Sequence, residues 1–278
     1  MKVPPEEKFG PLNRCIYCDK ETRPDALTDE HIIPLSLGGH RVLEKASCRY
    51  CADHTGAVNG HCAGTIFRAL RVHHEAPTRR PRDRPKTLTM MGEQPAHDRV
   101  NISARERAEI SVDEAVGFVT FLIFPAPGIL RGATPDPKIL QIGHVVCETT
   151  DDATDRARKL KQEGRPHSAF VEFEVFKFLR LLAQIAHGYA VVTLGMDSFV
   201  HRLPPIILGR DPCASQYIGS DLGDAIPLLE APASSTIHQV KGGILQDADR
   251  KLFAVQIQMF SFLRPLPPTY LVVAGEMR

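Results

Sequence analysis

The chain has 278 residues, 43% of them hydrophobic and 24% charged, with a formal net charge of +1. That is the composition of an ordinary soluble globular protein, without repeats or low-complexity segments, and it leaves room for one large domain or two smaller ones, two being the expectation. Residues 1–86 carry 15 Lys/Arg against 11 Asp/Glu and the remainder 19 against 22, so the basic character that suits a polyanion travels with the first third.

The amino-terminal residues 1–8 contain no apolar signal region, and no later apolar stretch reads as long enough to span a bilayer, which gives the expectation of a cytoplasmic protein with no membrane partner. Four of the seven cysteines form two close pairs, Cys15/Cys18 and Cys48/Cys51, while Cys62, Cys147 and Cys213 are scattered. An odd count without a secretory signal argues against a disulfide framework. Two-residue spacing places two sulfurs on one side of an ion, so the four thiols suit a tetrahedral structural Zn²⁺.

Residues 10–75 form the first expected unit. They hold six of the twelve His and few long apolar runs, so little stability is expected from a hydrophobic core, and a structural zinc would supply on the order of 10 kcal/mol instead. Between the cysteine pairs runs Asp29-Glu30-His31-Ile32-Ile33-Pro34, closed by Gly38-Gly39. An acidic residue followed by His provides what a metal-assisted phosphodiester hydrolase needs: a carboxylate for a catalytic cation and an imidazole to deprotonate water. After Cys51 a helix is expected, with Val58, Cys62, Ile66, Phe67 and Leu70 on one face. Arg68 and Arg71 flank that stripe, and the glycines at 56, 60 and 64 would let it pack closely on a neighbour.

Residues 76–98 read as a basic, Pro-rich linker. Its first part carries Arg79, Arg80, Arg82, Arg84 and Lys86 among three prolines, which favours an extended arm that lies along a phosphate backbone or a simple solvated connection. Residues 99–278 are expected to be an α+β domain rich in strands. Strands are predicted at 118–124, 142–147, 169–175, 206–208, 253–260 and 270–274. Alternation of Val255, Ile257 and Met259 with Gln256 and Gln258 predicts a sheet with one wet face. Helices are predicted at 151–163 and 176–187, the second stopping at Gly188 with Lys177, Arg180, Gln184 and His187 as its solvent stripe.

The Glu-His-Ile-Ile-Pro loop with its Gly-Gly pair, bracketed by two Cys-x-x-Cys knuckles, resembles the HNH endonuclease family over about residues 15–71. His31 lies thirteen residues beyond Cys18 and Gly39 nine before Cys48. The resemblance implies a ββα-metal fold, His31 as general base, Glu30 as a ligand of a catalytic Mg²⁺ or other divalent cation, and DNA as partner. Two departures stand out. No Asn occurs in residues 43–47, where the family often braces its base, and Ala52 stands where the second cation ligand is common. Asp53 is the expected substitute, because hard cations prefer carboxylate oxygen. Phosphate contacts are assigned to Arg68, Arg71, Arg79, Arg80 and Arg82. A metal-dependent DNA endonuclease is therefore the leading expectation, and a zinc-stapled nucleic-acid-binding module with weak or no cleavage the alternative.

Overall fold

The computed structural model describes residues 3–18, 23–78, 81–92, 107–169, 173–222, 237–247 and 249–278. Strand β1 (Glu7–Phe9), β2 (Leu27–His31) and β3 (Arg41–Cys48) form a sheet in the order β1-β3-β2, β1 parallel and β2 antiparallel to β3. Cys48 is both the end of β3 and the N-cap of α1 (Arg49–Gly64), so the second knuckle turns the strand directly into the helix. A short α2 (Arg68–His73) follows after a break at residues 65–67.

The remaining elements are β4 (Thr87–Met91), β5 (Arg107–Ser111), β6 (Phe118–Ile123), β7 (Gly143–Glu148), α3 (Ala153–Gln162), β8 (Ser168–Ala169), α4 (Val175–Leu194), β9 (Phe199–His201), α5 (Pro204–Ile207), β10 (Ile218–Ser220), β11 (His238–Asp247), β12 (Arg250–Met259) and β13 (Tyr270–Met277). The largest sheet runs β10-β13-β12-β11, with β9 also on β13. The molecule is thus an α+β fold with an HNH-like amino-terminal region and a strand-rich remainder.

Helix α4 fills the centre. Twelve of its twenty residues are buried, among them Phe178, Leu182, Ile185 and Val191. It is long and apolar enough to cross a membrane by length and composition, contrary to the sequence expectation, but 67% of that window is buried inside the protein. It also runs through Gly188 rather than stopping there, and ends at Gly195 with φ +83°. Burial of Ala190 and Val191 beyond Gly188 outweighs the roughly 1 kcal/mol that a helical Gly costs.

One apolar core joins both ends of the chain. Ile16, Leu37, Leu43, Val58, Ile66, Phe67 and Leu70 belong to the same buried cluster as Phe121, Phe178, Phe260 and Tyr270, and the Phe67 ring lies 5.2 to 6.3 Å from those of Phe121, Phe178 and Phe260. The expectation of a core-poor first block is overturned, because its apolar side chains, scattered in sequence, converge on α4. The expected close neighbour of the α1 glycines is also missing: a Cβ at Gly56, Gly60 or Gly64 would meet nothing within 4 Å, so these residues line the open side of the helix.

Three strand expectations are corrected. Residues 204–207 form α5, with Pro204 and Pro205 in the first turn, where a missing N–H costs nothing. Of 169–175, only Ala169 lies in a strand and Val175 begins α4, while residues 170–172 fall outside the described residues. Over residues 252–259 strand β12 has no wet face: Gln256 is 0% and Gln258 5% exposed. Their amide N–H groups donate to Asp221 Oδ2 and the Pro267 carbonyl respectively, which offsets part of the cost of burying them.

Candidate active site

The four cysteine sulfurs converge. All lie within 4.8 Å of one another, and Cys18 Sγ is 3.7 Å from Cys48 Sγ. Tetrahedral zinc with Zn–S bonds of about 2.3 Å puts its sulfurs about 3.8 Å apart, so the geometry fits the ion that the spacing implied. Cys15, Cys48 and Cys51 are buried, and burial pushes the Cys15 and Cys51 thiols up. A bound cation stabilises the thiolates against that penalty. Among the described residues this is the one cluster of three or more His, Cys, Asp or Glu with metal-holding geometry.

The two cysteine pairs bracket a tight hairpin. His31 ends β2 opposite Val42 of β3, and the chain then turns through residues 35–37 in a 3-10 turn to Gly38 and Gly39. Both glycines are dictated by geometry. Gly38 has φ +93°, and a Cβ on Gly39 would stand 1.8 Å from the Ile33 carbonyl oxygen, an approach only Gly permits. The loop is braced from two directions: Arg71 donates to Ser36 O at 2.8 Å and to Ala63 O at 2.9 Å, and His238 Nε2 donates to Leu37 O at 2.8 Å. The Phe260 backbone N–H occupies His238 Nδ1, which fixes the Nε2–H tautomer.

The His31 side chain is 19% exposed, with Nε2 3.8 Å from Glu6 Oε1. Glu6 immediately precedes β1, and sequence reasoning gave it no role. Glu30 lies on the opposite face of β2, because strand side chains alternate. It is 7% exposed. Its Oε1 accepts from the Tyr17 hydroxyl at 3.1 Å and from Gln184 Nε2 at 3.0 Å, and Thr55 of α1 also bonds the carboxyl. Burial pushes the Glu30 carboxyl up to about 7, against the lowering effect of the Tyr17 and Thr55 bonds. Asp29 Oδ1 accepts from the Lys45 backbone N–H at 3.0 Å.

The other sequence-assigned residues are dispersed. Asp53 sits on the exposed side of α1, ion-paired to Arg49 at 3.0 Å, and Ala52 offers no donor. The oxygen donors proposed for a catalytic cation therefore do not converge: Glu30 faces inward onto two hydrogen-bond donors and Asp53 faces out onto an arginine. Arg71 is taken up by Ser36 and Ala63, so it is a loop brace rather than a free phosphate contact. Arg68 is partly buried and Arg82 exposed; Arg79 and Arg80 lie outside the described residues. Arg84 donates to the carbonyls of Glu75 and Ala76.

The supposed solvent stripe of α4 meets protein: three of its members reach the cysteine-bearing region and Arg180 reaches α5. Lys177 Nζ lies 3.4 Å from His61 Nδ1, Arg180 Nε donates to Ile207 O, Gln184 reaches Glu30, and His187 Nε2 donates to Ile16 O at 2.7 Å. The three- and four-residue spacing that marks a polar stripe is the same whether water or protein satisfies it. Gln184 and His187 are 1% and 0% exposed, and a signal that could have found them is their embedding in an otherwise apolar cylinder.

Residues 15–59 match the family model described as HNH endonuclease. No curated protein and no solved structure matches the chain. The family match spans both knuckles, the His31 loop and most of α1, and together with the cysteine cluster it is consistent with the zinc-stapled subset of that family. It supports a nuclease-type function.

Proposed function

We propose that the protein is an HNH-type phosphodiester hydrolase acting on DNA, with His31 as its general base. One observation carries this reading: the zinc knuckles, β2, β3 and α1 assemble the matched segment so that an imidazole stands at a strand end beside a rigid glycine turn. His31 accepts a proton from water as neutral imidazole, the form that acts as a base. Glu6 stabilises the imidazolium that results. The loop braces, Arg71 and His238, keep the ring in one place, and positioning of this kind is what a hydrolase with few catalytic groups depends on.

A divalent cation, when bound, would neutralise charge developing on the phosphate. The expected donors for it are not assembled, so the residues that act in this scheme are His31 and its supports. Purified protein is expected to nick supercoiled plasmid in the presence of Mg²⁺ or Mn²⁺, and His31→Ala to lose that activity by at least about a hundredfold. Equal cutting by the variant rules out His31 as the base.

The sequestered Glu30 carboxylate and Ala52 favour a second reading, in which the same zinc-stapled unit binds DNA without cutting it. Salt-sensitive binding with no turnover under any divalent cation would establish it.

A further inference from the structure

A cavity of about 630 Å³ opens beside the first cysteine knuckle, between residues 14–18 on one side and residues 196–210 with Arg278 on the other. Its size is that of a small-ligand site. Ile16, Met196, Pro204, Pro205 and Leu208 give it an apolar wall, and the guanidinium groups of Arg14, Arg210 and Arg278 line it against one carboxylate, Asp197. All three arginines are held. Arg14 Nη1 lies 3.1 Å from Asp197 Oδ1, Arg278 Nη1 donates to the Asp197 carbonyl at 3.2 Å, and Arg210 rests against the Tyr50 ring, 5.7 Å from its centroid. A guanidinium with one N–H engaged keeps the others for a ligand, and a fork already oriented loses less entropy on gripping a phosphate. Cys15 and Cys18 line the same cavity. Four thiolates around one Zn²⁺ leave negative charge there, which keeps an anion out at the arginines and leaves the apolar wall to an uncharged group.

We propose that this cavity binds one unpaired nucleotide of a DNA strand, its base against the apolar wall and its phosphate on Arg14, Arg210 and Arg278. The inference rests on the reading of the protein as one that acts on DNA, and gives it a second point of contact. Cys48 faces Leu27 at the zinc end of the β2–β3 hairpin and Val42 faces His31 at the other, so the knuckle stands about 13 Å from His31 along the hairpin, at about 3.3 Å per strand residue. That is roughly four nucleotide steps of a stacked strand. Only an unpaired or extruded base leaves its stack to enter a cavity. Phosphate alone would meet only the charge and a nucleoside only the apolar wall, whereas a nucleotide uses both.

The test is fluorescence anisotropy of a labelled oligothymidylate with zinc-loaded full-length protein and no other divalent cation, so that no cleavage intervenes. Thymidine monophosphate is expected to displace the probe, and thymidine or inorganic phosphate to require about tenfold more. Arg210→Ala is expected to weaken probe binding about tenfold and to lower the slope of log affinity against log salt by about 0.7, with zinc content unchanged. Met196→Trp fills the cavity and is expected to weaken the probe and the monophosphate together while leaving the salt slope as it is. Inorganic phosphate competing as well as thymidine monophosphate, displacement by oligoglutamate alone, or wild-type binding in both variants overturns the nucleotide pocket. A probe that binds no tighter than the monophosphate overturns the strand contact. Failure of the probe to bind overturns the proposal and leaves the plasmid assay of His31 standing, and a protein that never cuts plasmid leaves the binding result standing.

Discussion

His187 shows how a single buried group sets the response of the molecule to acid. Its ring is 0% exposed, and Nε2 donates to Ile16 O while Nδ1 has no hydrogen-bond partner among the described residues. Burial, then the nearby His201, pushes its pKa down to about 3. The folded state therefore keeps it neutral where the unfolded chain, with a pKa near 6.5, takes up a proton. Its contribution to stability is whole above about pH 6.5 and falls as pH drops toward 3, reaching a loss of roughly 2 kcal/mol near pH 5. His187→Gln retains a donor for Ile16 and cannot titrate. Urea unfolding of the two proteins at pH 7 and pH 5 is expected to show their stability difference shifting by that amount in favour of the variant. A difference that does not change with pH would mean that His187 is hydrated or protonated in the folded protein. The residue was visible in the sequence, but only as one member of a polar stripe. Periodicity records which residues share a face and says nothing about what that face meets, which is why Gln184 and His187 were read as wet.

At the scale of elements, the hairpin from β2 to β3 was largely legible. Cys15, Cys18, Cys48 and Cys51 were read as one metal site from spacing, and their sulfurs converge. The Gly-Gly pair was read as the end of the loop, and the close approach of Gly39 to Ile33 explains why. Arg71 was misread because charge alone cannot tell a phosphate contact from a carbonyl contact. Half-buried, its guanidinium bridges Ser36 in the hairpin loop and Ala63 in α1, which ties the loop to the helix. Arg71→Ala leaves two carbonyls without their charged donor and is expected to cost roughly 2 kcal/mol. Hydrogen exchange at the amides of Leu37, Gly38 and Gly39 is expected to accelerate, since their bonds to residues 34 and 35 depend on the loop staying closed. If His31 is the base, plasmid nicking falls as well, through lost positioning rather than lost DNA affinity. Unchanged exchange would show that His238 alone holds the loop.

For the whole molecule, the question is whether the zinc-stapled region stands by itself. Sequence favoured a separate unit over residues 10–75, because a run of conspicuous ligands followed by a Pro-rich basic stretch looks like a boundary. Long-range packing is the part that sequence could not display: Phe67 and Leu70 are apolar on a helix face in either arrangement, and only the fold places Phe67 among Phe121, Phe178 and Phe260. Two sources of stability then act on the same region. A zinc ion at the four thiols would hold the knuckles, and α4 covers Glu30, Ile16 and the inner face of α1. Cut from α4, a fragment of residues 1–86 would expose the Phe67 and Leu70 side chains and lose the donors of Gln184 and His187. The exposed aromatic and aliphatic side chains alone represent about 1.5–3 kcal/mol each, against on the order of 10 kcal/mol from zinc. The fragment is therefore expected to bind zinc yet remain loosely packed, with poorly dispersed amide resonances and no cooperative melting transition. The full chain is expected to melt cooperatively and to lose part of its thermal midpoint when zinc is chelated. A well-dispersed spectrum from the zinc-bound fragment would show that the metal suffices and that α4 is an attachment rather than half of the core.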